Sequence, residues 1–293
     1  MKKAFFQLHF AVFLAGFTAI LGKLIHLNEG WLVWYRMLIT VAVIFIISFF
    51  KKELKPISIK KIAPLLGTGC IIALHWLTFY ASIKYSNASI ALVCFSATGL
   101  FTALFEPLIT KSKFMFLEIL LGFIVVAGIY IIFNFNPHFK TGIIFGIISA
   151  MGAAIFPILN KGFLPVFAYR EVTFYEMIGG FVGLSLLLPL YFILFPASYA
   201  LPTVSDWIWL LILSILCTVY ALNLQLKALE KISAFTSNLT YSLEPVYGIL
   251  LAFLIFHEHK YFGPSFYWGM LLSLIAVILQ MYVVFRSQAK ARS

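Results

Sequence analysis

Apolar runs of about 20 residues, each closed by lysines, a proline or a polar pair, recur from one end of this chain to the other. As a helix, a run of that length spans the ~30 Å hydrocarbon core of a bilayer. Ten such runs stand at about 5–24, 31–50, 62–83, 88–109, 115–134, 141–161, 172–195, 206–227, 235–256 and 263–285. The connectors are short, the longest being KKELKPISIKK at 51–61 and the stretch from Pro196 to Ser205. The expected fold is an all-α integral membrane protein with ten transmembrane helices and no extramembrane domain.

Composition agrees. Only 11% of the 293 residues are charged and the mean hydropathy is +1.03, whereas soluble domains carry about 25% charged residues. The net charge of +11 would elsewhere suggest a nucleic-acid partner. Here the basic residues sit in the connectors, with no soluble basic face, so none is expected. Of the 21 lysines and arginines, Arg36 lies within a span. With the N-terminus inside, only Lys23, Lys84, Lys140 and Lys260 fall outside, against sixteen on the cytoplasmic side. That asymmetry places both termini in the cytoplasm of a cell (inner) membrane protein. The basic start before an apolar run resembles a signal peptide, but no small-x-small site precedes Lys23, so the segment is expected to remain as the first span. Cys70, Cys94 and Cys217 are isolated within apolar runs and have neither metal-ligand nor disulfide spacing.

The pattern also repeats. Shifting 81–129 by 147 positions places Ala81 on Ala228, Lys84 on Lys231, Leu92 on Leu239 and Gly122 on Gly269. Upstream, Lys23 meets Lys161 at a shift of 138, and Trp34-Tyr35-Arg36 meets Phe174-Tyr175-Glu176 at 140. The chain thus reads as two five-helix halves, 1–137 and 138–293. An odd number of crossings starts the second half on the opposite side of the membrane, so the halves have inverted topology. Inverted repeats suit alternating access, with a substrate site near the midplane where helices are interrupted.

The segment TYSLEPVYGILLAFLIF at 240–256 carries the sharpest polar signal. Glu244 falls roughly 14 Å into its span at ~1.5 Å per residue. An ionised acid at that depth must face the bundle interior or a wet cavity, paired or protonated. Pro245 cannot donate a helical hydrogen bond and crowds the carbonyl of Tyr241, freeing acceptors beside the acid. A carboxylate and free carbonyls suit an ammonium group or a proton; a structural partnership with Arg36 is the alternative. Tyr241 and Gly248 share the face of Glu244, with Asn238 two turns back. Asn223 on span eight, and His75, Trp76 and Tyr80 on span three, complete the candidate pathway. Trp76 and Tyr80 suit stacking on a substrate or plain packing. Arg36, Glu106 and Glu176, near span ends, read as gate, packing or anchoring residues. Gly142-x-x-x-Gly146 and Gly179-x-x-x-Gly183 allow close helix approach, whether within one chain or between two.

Ser242-Leu243-Glu244-Pro245-Val246-Tyr247-Gly248, the apolar run ending Phe256-His257-Glu258, and Arg36 in WYRMLITVAV together resemble the drug/metabolite transporter superfamily, specifically its EamA-type ten-helix exporters. In the first half the acid–proline pair appears instead as Glu106-Pro107, and Lys111 stands at the place of Glu258. The resemblance implies a secondary transporter that exports a small metabolite, an amino acid or a drug-like solute, by alternating access. Glu244 would bind the substrate cation or couple transport to protons. A passive facilitator or channel is the alternative. An intramembrane enzyme has no motif behind it: phosphate-cradling loops, Gly-x-Ser-x-Gly and HExxH are all missing. No cofactor or metal is expected. The partners are substrate, bilayer and protons, for a monomer or a homodimer.

Overall fold

The computed structural model describes residues 2–50, 57–135, 137–197, 199, 201–232, 237, 240, 241 and 243–290. The described chain is helical throughout, in the order α1 (Lys2–Leu24), α2 (Glu29–Phe50), α3 (Ile59–Tyr85), α4 (Ala88–Thr110), α5 (Phe116–Phe135), α6 (Lys140–Phe163), α7 (Tyr169–Leu194), α8 (Val204–Leu229), α9 (Glu244–Phe256) and α10 (Pro264–Lys290). Among the described residues seven helices, α1 to α4 and α6 to α8, are long and apolar enough to cross a membrane. Three shorter apolar stretches lie in α5, α9 and α10.

Two helices are irregular, and both irregularities face the centre. α4 tightens at Ser96 and Ala97 between its pieces Ala88–Phe95 and Thr98–Thr110. α8 widens over Ile212–Tyr220, where the Ala221 amide reaches the Leu216 carbonyl and the Thr218 hydroxyl reaches the Leu213 carbonyl at 2.8 Å. Five-residue bonding of this kind inserts one extra residue and rotates whatever follows, and it is frequent at functional sites.

The packing pattern is orderly. α3 lies along α6 and α7, α1 along α8 and α9, α2 along α7 and α8, α4 along α6 and α9, and α5 along α10. Close crossings use glycine. A Cβ on Gly69 of α3 would stand 1.9 Å from the Glu176 carbonyl oxygen of α7, and one on Gly128 would stand 2.4 Å from that of Gly269. Gly142, Gly146, Gly179 and Gly183 all face other helices of this same chain, so both small-residue motifs serve internal packing.

Polarity is inverted relative to a soluble domain. Glu29, Arg36, Glu176, Asp206, Glu244 and Glu258 are buried, while Phe6, Phe50, Phe116, Leu186 and Leu254 are more than 70% exposed. Polar groups turned inward and large apolar groups turned outward fit a bilayer as solvent. This is a multi-pass membrane protein.

Candidate functional site

Arg36 and Glu244 line one cavity, walled by α1, α2, α3, α4, α6, α8, Tyr241 and the start of α9. Two of the five guanidinium N–H donors are committed. Nε donates to Thr218 Oγ1 at 2.9 Å, and one terminal nitrogen donates to the Tyr80 hydroxyl at 3.0 Å. The guanidinium plane sits 3.5 Å from the centroid of the Trp76 ring. Both irregular and close-packed features serve this placement. The wide turn of α8 presents Thr218, and Gly22 leaves room for the Tyr80 ring, which an added Cβ would meet at 2.4 Å.

Glu244 opens α9 with Pro245 in the first turn, where the missing proline N–H is no loss. A Cβ on Gly16 of α1 would lie 3.1 Å from the Glu244 carbonyl oxygen, so this glycine lets α1 approach the break closely. Among the described residues, Arg36 is the charged side chain that lines the cavity with Glu244. Among the described residues no basic group comes within 4 Å of the Glu244 carboxylate; the ion pairs at that distance are Lys23–Glu258 and His26–Asp206. The Arg36 guanidinium and the Glu244 carboxyl therefore share one cavity with no ion pair between them.

His75 is oriented by Ser149. The Ser149 hydroxyl donates to the His75 carbonyl at 3.0 Å, and His75 Nδ1 lies 2.8 Å from that hydroxyl and 3.0 Å from the Ser149 carbonyl. A carbonyl only accepts, and the hydroxyl hydrogen is already used, so Nδ1 carries the ring hydrogen and Nε2 is left as the acceptor. Phe95 and Phe156 sandwich the ring at 5.5 and 6.0 Å. Phe79, Ala153 and Leu222 continue this apolar wall, and Thr18, Thr98 and Gln225 add polar edges.

The walls pair up at constant offsets. Ala15 and Thr18 match Ala153 and Phe156 at 138 positions, while His75, Trp76, Phe79, Phe95 and Thr98 match Ala221, Leu222, Gln225, Tyr241 and Glu244 at 146. The ungapped sequence shift of 147 is one residue longer, and it is the shift that pairs Trp76 with Asn223.

Of the residues expected on the pathway, Glu244, Tyr241, His75 and Trp76 line the cavity. Tyr80 stands behind Arg36, fully buried, as its hydrogen-bond acceptor. Trp76 presents its ring to Arg36. Asn223 lines a separate crevice with Ser48, Arg170 and Tyr220. Asn238 lies outside the described residues. Glu106 borders a groove shared with Lys161, and Glu176 is buried against Asn160. Arg36, expected near a span end, is buried at the cavity wall. Sequence reasoning passed over Thr18, Thr98 and Thr218, whose hydroxyls carry no signal of their own, and it gave Gln225 no place on the pathway. The i, i+4 spacing of Cys217, Ala221 and Gln225 is the pattern that points to Gln225.

The α1–α2 end of the bundle is stitched shut. Glu258 is 1% exposed and accepts from Lys23 Nζ at 2.7 Å, from the Ser89 hydroxyl at 2.5 Å and from the amides of Ala88 and Ser89 at 3.3 and 2.9 Å. Lys84 Nζ donates to the Ile25 carbonyl, and Asp206 accepts from the His26 amide at 2.7 Å. At the opposite end Lys161 Nζ donates to the Leu229 carbonyl.

The chain is similar to a transporter of Bacillus subtilis (strain 168) named "Uncharacterized transporter YetK", 24% identical over 273 residues that cover 87% of this chain and 80% of the relative. A solved crystal structure, described only as that of a protein, shares the fold with a TM-score of 0.64 at 15% identity, covering 94% of this chain and 95% of that one. The profile of the EamA-like transporter family matches residues 2–134 and 140–282. By that match over nearly its whole length, the chain belongs to the EamA-like transporter family.

Proposed function

We propose that this protein is a secondary transporter that carries a small zwitterion, an amino acid with a large apolar or aromatic side chain, out of the cell. The observation that carries the reading is the pair of opposite charges facing one cavity without an ion pair between them. Arg36, pre-set by Thr218, Tyr80 and Trp76, is suited to a carboxylate. Glu244 is suited to an ammonium group. The Phe79–Phe95–Phe156 wall offers an apolar face to the side chain.

Ten crossings in two inverted halves complete the reading. Support comes from the constant offsets of the lining residues and from the most extensive helix contacts, which keep the same pairs when the halves are exchanged. With both termini cytoplasmic, the stitched α1–α2 end is the outer face, and rocking of the halves opens it while closing the other. Glu244 holds either the substrate ammonium or a proton, so each excludes the other, which links substrate movement to a proton gradient.

Purified protein in liposomes should show saturable counterflow of a labelled aromatic or branched amino acid, stimulated by unlabelled amino acid on the far side. Flux that rises linearly with concentration and ignores the far side would identify a passive pore and end the carrier reading.

A further inference from the structure

Glu176 is another buried carboxyl, and it does not line the cavity. It stands near the start of α7, opposite Asn160 near the end of α6, and each residue is 1% exposed. Asn160 Nδ2 donates to Glu176 Oε2 at 3.4 Å. The other two atoms of the pair, Glu176 Oε1 and Asn160 Oδ1, are both buried, and among the described residues both lack a partner. Both are acceptors. An amide and a carboxylate facing each other therefore lack one hydrogen, and a single proton on the carboxyl supplies it to both orphans.

Among the described residues no ion pair reaches Glu176. Lys161, next to Asn160, turns away to the Leu229 carbonyl. Arg170 lines the separate crevice beside Asn223. Glu171 folds back onto the Ala168 amide at 2.9 Å. From α3, backbone faces the start of α7: Gly69 meets the Glu176 carbonyl, and Leu66 meets Gly179. Tyr175 packs on Phe174. An ionised carboxylate in that setting would be a bare charge in low dielectric, costing several kcal/mol.

We propose that Glu176 and Asn160 form a binding site for one proton: a neutral acid–amide ring in which the carboxyl O–H donates to Asn160 Oδ1 and Asn160 Nδ2 donates back to Glu176 Oε2. The terminal torsion of a glutamate is soft, so a small rotation brings the two groups into register. This proton is separate from any carried at Glu244, because Glu176 does not reach the cavity, and it stays in place through the transport cycle.

The test is infrared spectroscopy of the purified full-length protein in lipid at neutral pH, carried out in the E244Q background so that the cavity acid contributes nothing. The ring predicts a protonated-carboxyl C=O band that shifts in heavy water, disappears in E244Q/E176Q and moves in frequency in E244Q/N160L. E176Q, able to form the matching amide–amide ring, should hold its melting temperature while E176A lowers it. Spectra of E244Q and E244Q/E176Q that coincide in the protonated-carboxyl region would show Glu176 ionised and overturn the proposal. Should those double variants fold poorly, an alkaline titration of E244Q/E118Q decides the point, Glu118 being another buried acid with an unpartnered oxygen: the band persists above neutral pH if the ring exists and is missing at neutral pH if it does not.

Discussion

Thr98 and Glu244 both face the cavity, Thr98 opening the second piece of α4, Thr98–Thr110, and Glu244 opening α9, each 13 residues long. Both helices end in a left-handed residue, Lys111 at φ 58° and His257 at φ 54°. The fold thus accepts a short hydroxyl at one of the two places and carries an acid at the other. In the function proposed above, an acid placed where ionisation is costly serves chemistry rather than packing.

Replacing Glu244 with the residue found at the matching place tests this. E244T should keep expression and melting temperature near wild type while transport falls by roughly 30-fold or more, since removing one partner of a buried charge contact costs ~2 kcal/mol or more. Flux assays beside thermal unfolding of the same preparation separate the two effects.

The pH dependence has a defined sign. A protonated Glu244 cannot hold an ammonium group, so substrate binding should weaken as pH falls and recover as it rises. In E244Q the profile should be flat. Binding titrations across pH on both proteins check this.

Arg36 should not tolerate lysine. The ammonium lacks the planar fork that reaches Thr218 and Tyr80 together and that stacks on Trp76. Loss of the stack and of the charged hydrogen bonds should cost ~2–4 kcal/mol between stability and substrate binding. R36K is therefore expected to lower both the melting temperature and the apparent affinity, read by thermal shift with and without amino acid.

Two glycines of α3 should part company. Gly69→Ala drives a Cβ to 1.9 Å from the Glu176 carbonyl oxygen, whereas Gly67→Ala meets nothing within 4 Å. The first should destabilise by ~1–3 kcal/mol or more as α3 and α7 separate. The second should stabilise by ~0.5–1 kcal/mol through helix propensity alone. Unfolding curves of the two variants in one detergent would show the contrast.

The stitched end makes a further prediction. Cys217 lines the cavity. In a C70S/C94S background, a membrane-impermeant thiol reagent added outside should react slowly with Cys217. K23A removes the cation from Glu258 and should speed that reaction several-fold.

Much of this was legible in the chain. Helical character, the apolar spans, the buried acid and the proline beside it followed from lengths and spacings, because a bilayer leaves the backbone few choices. The functional walls were harder. Asn223 read as the counterpart of Trp76 because an ungapped shift allows no slip. Leu222, one residue earlier and just past the wide turn at 212–220, lines the cavity with Trp76, whereas Asn223 lines a separate crevice. Aromatic residues gave a second ambiguity: with 18% of the chain Phe, Trp or Tyr, nothing local distinguishes Trp76, which carries Arg36, from a ring that only packs. The clasp of Lys23, Glu258 and Ser89 joins residues up to 235 positions apart, a distance at which pairwise partnership leaves no trace in one sequence.

The most direct measurement is competition against a labelled amino acid by analogues that lack one charge at a time, on purified protein in liposomes. The account predicts that the zwitterion displaces the label, and that the N-acetyl derivative and the methyl ester each bind at least tenfold more weakly. It predicts further that E244Q loses discrimination against the N-acetyl form while Arg36 variants lose it against the ester. Equal displacement by all three compounds, unaltered in E244Q, would contradict it.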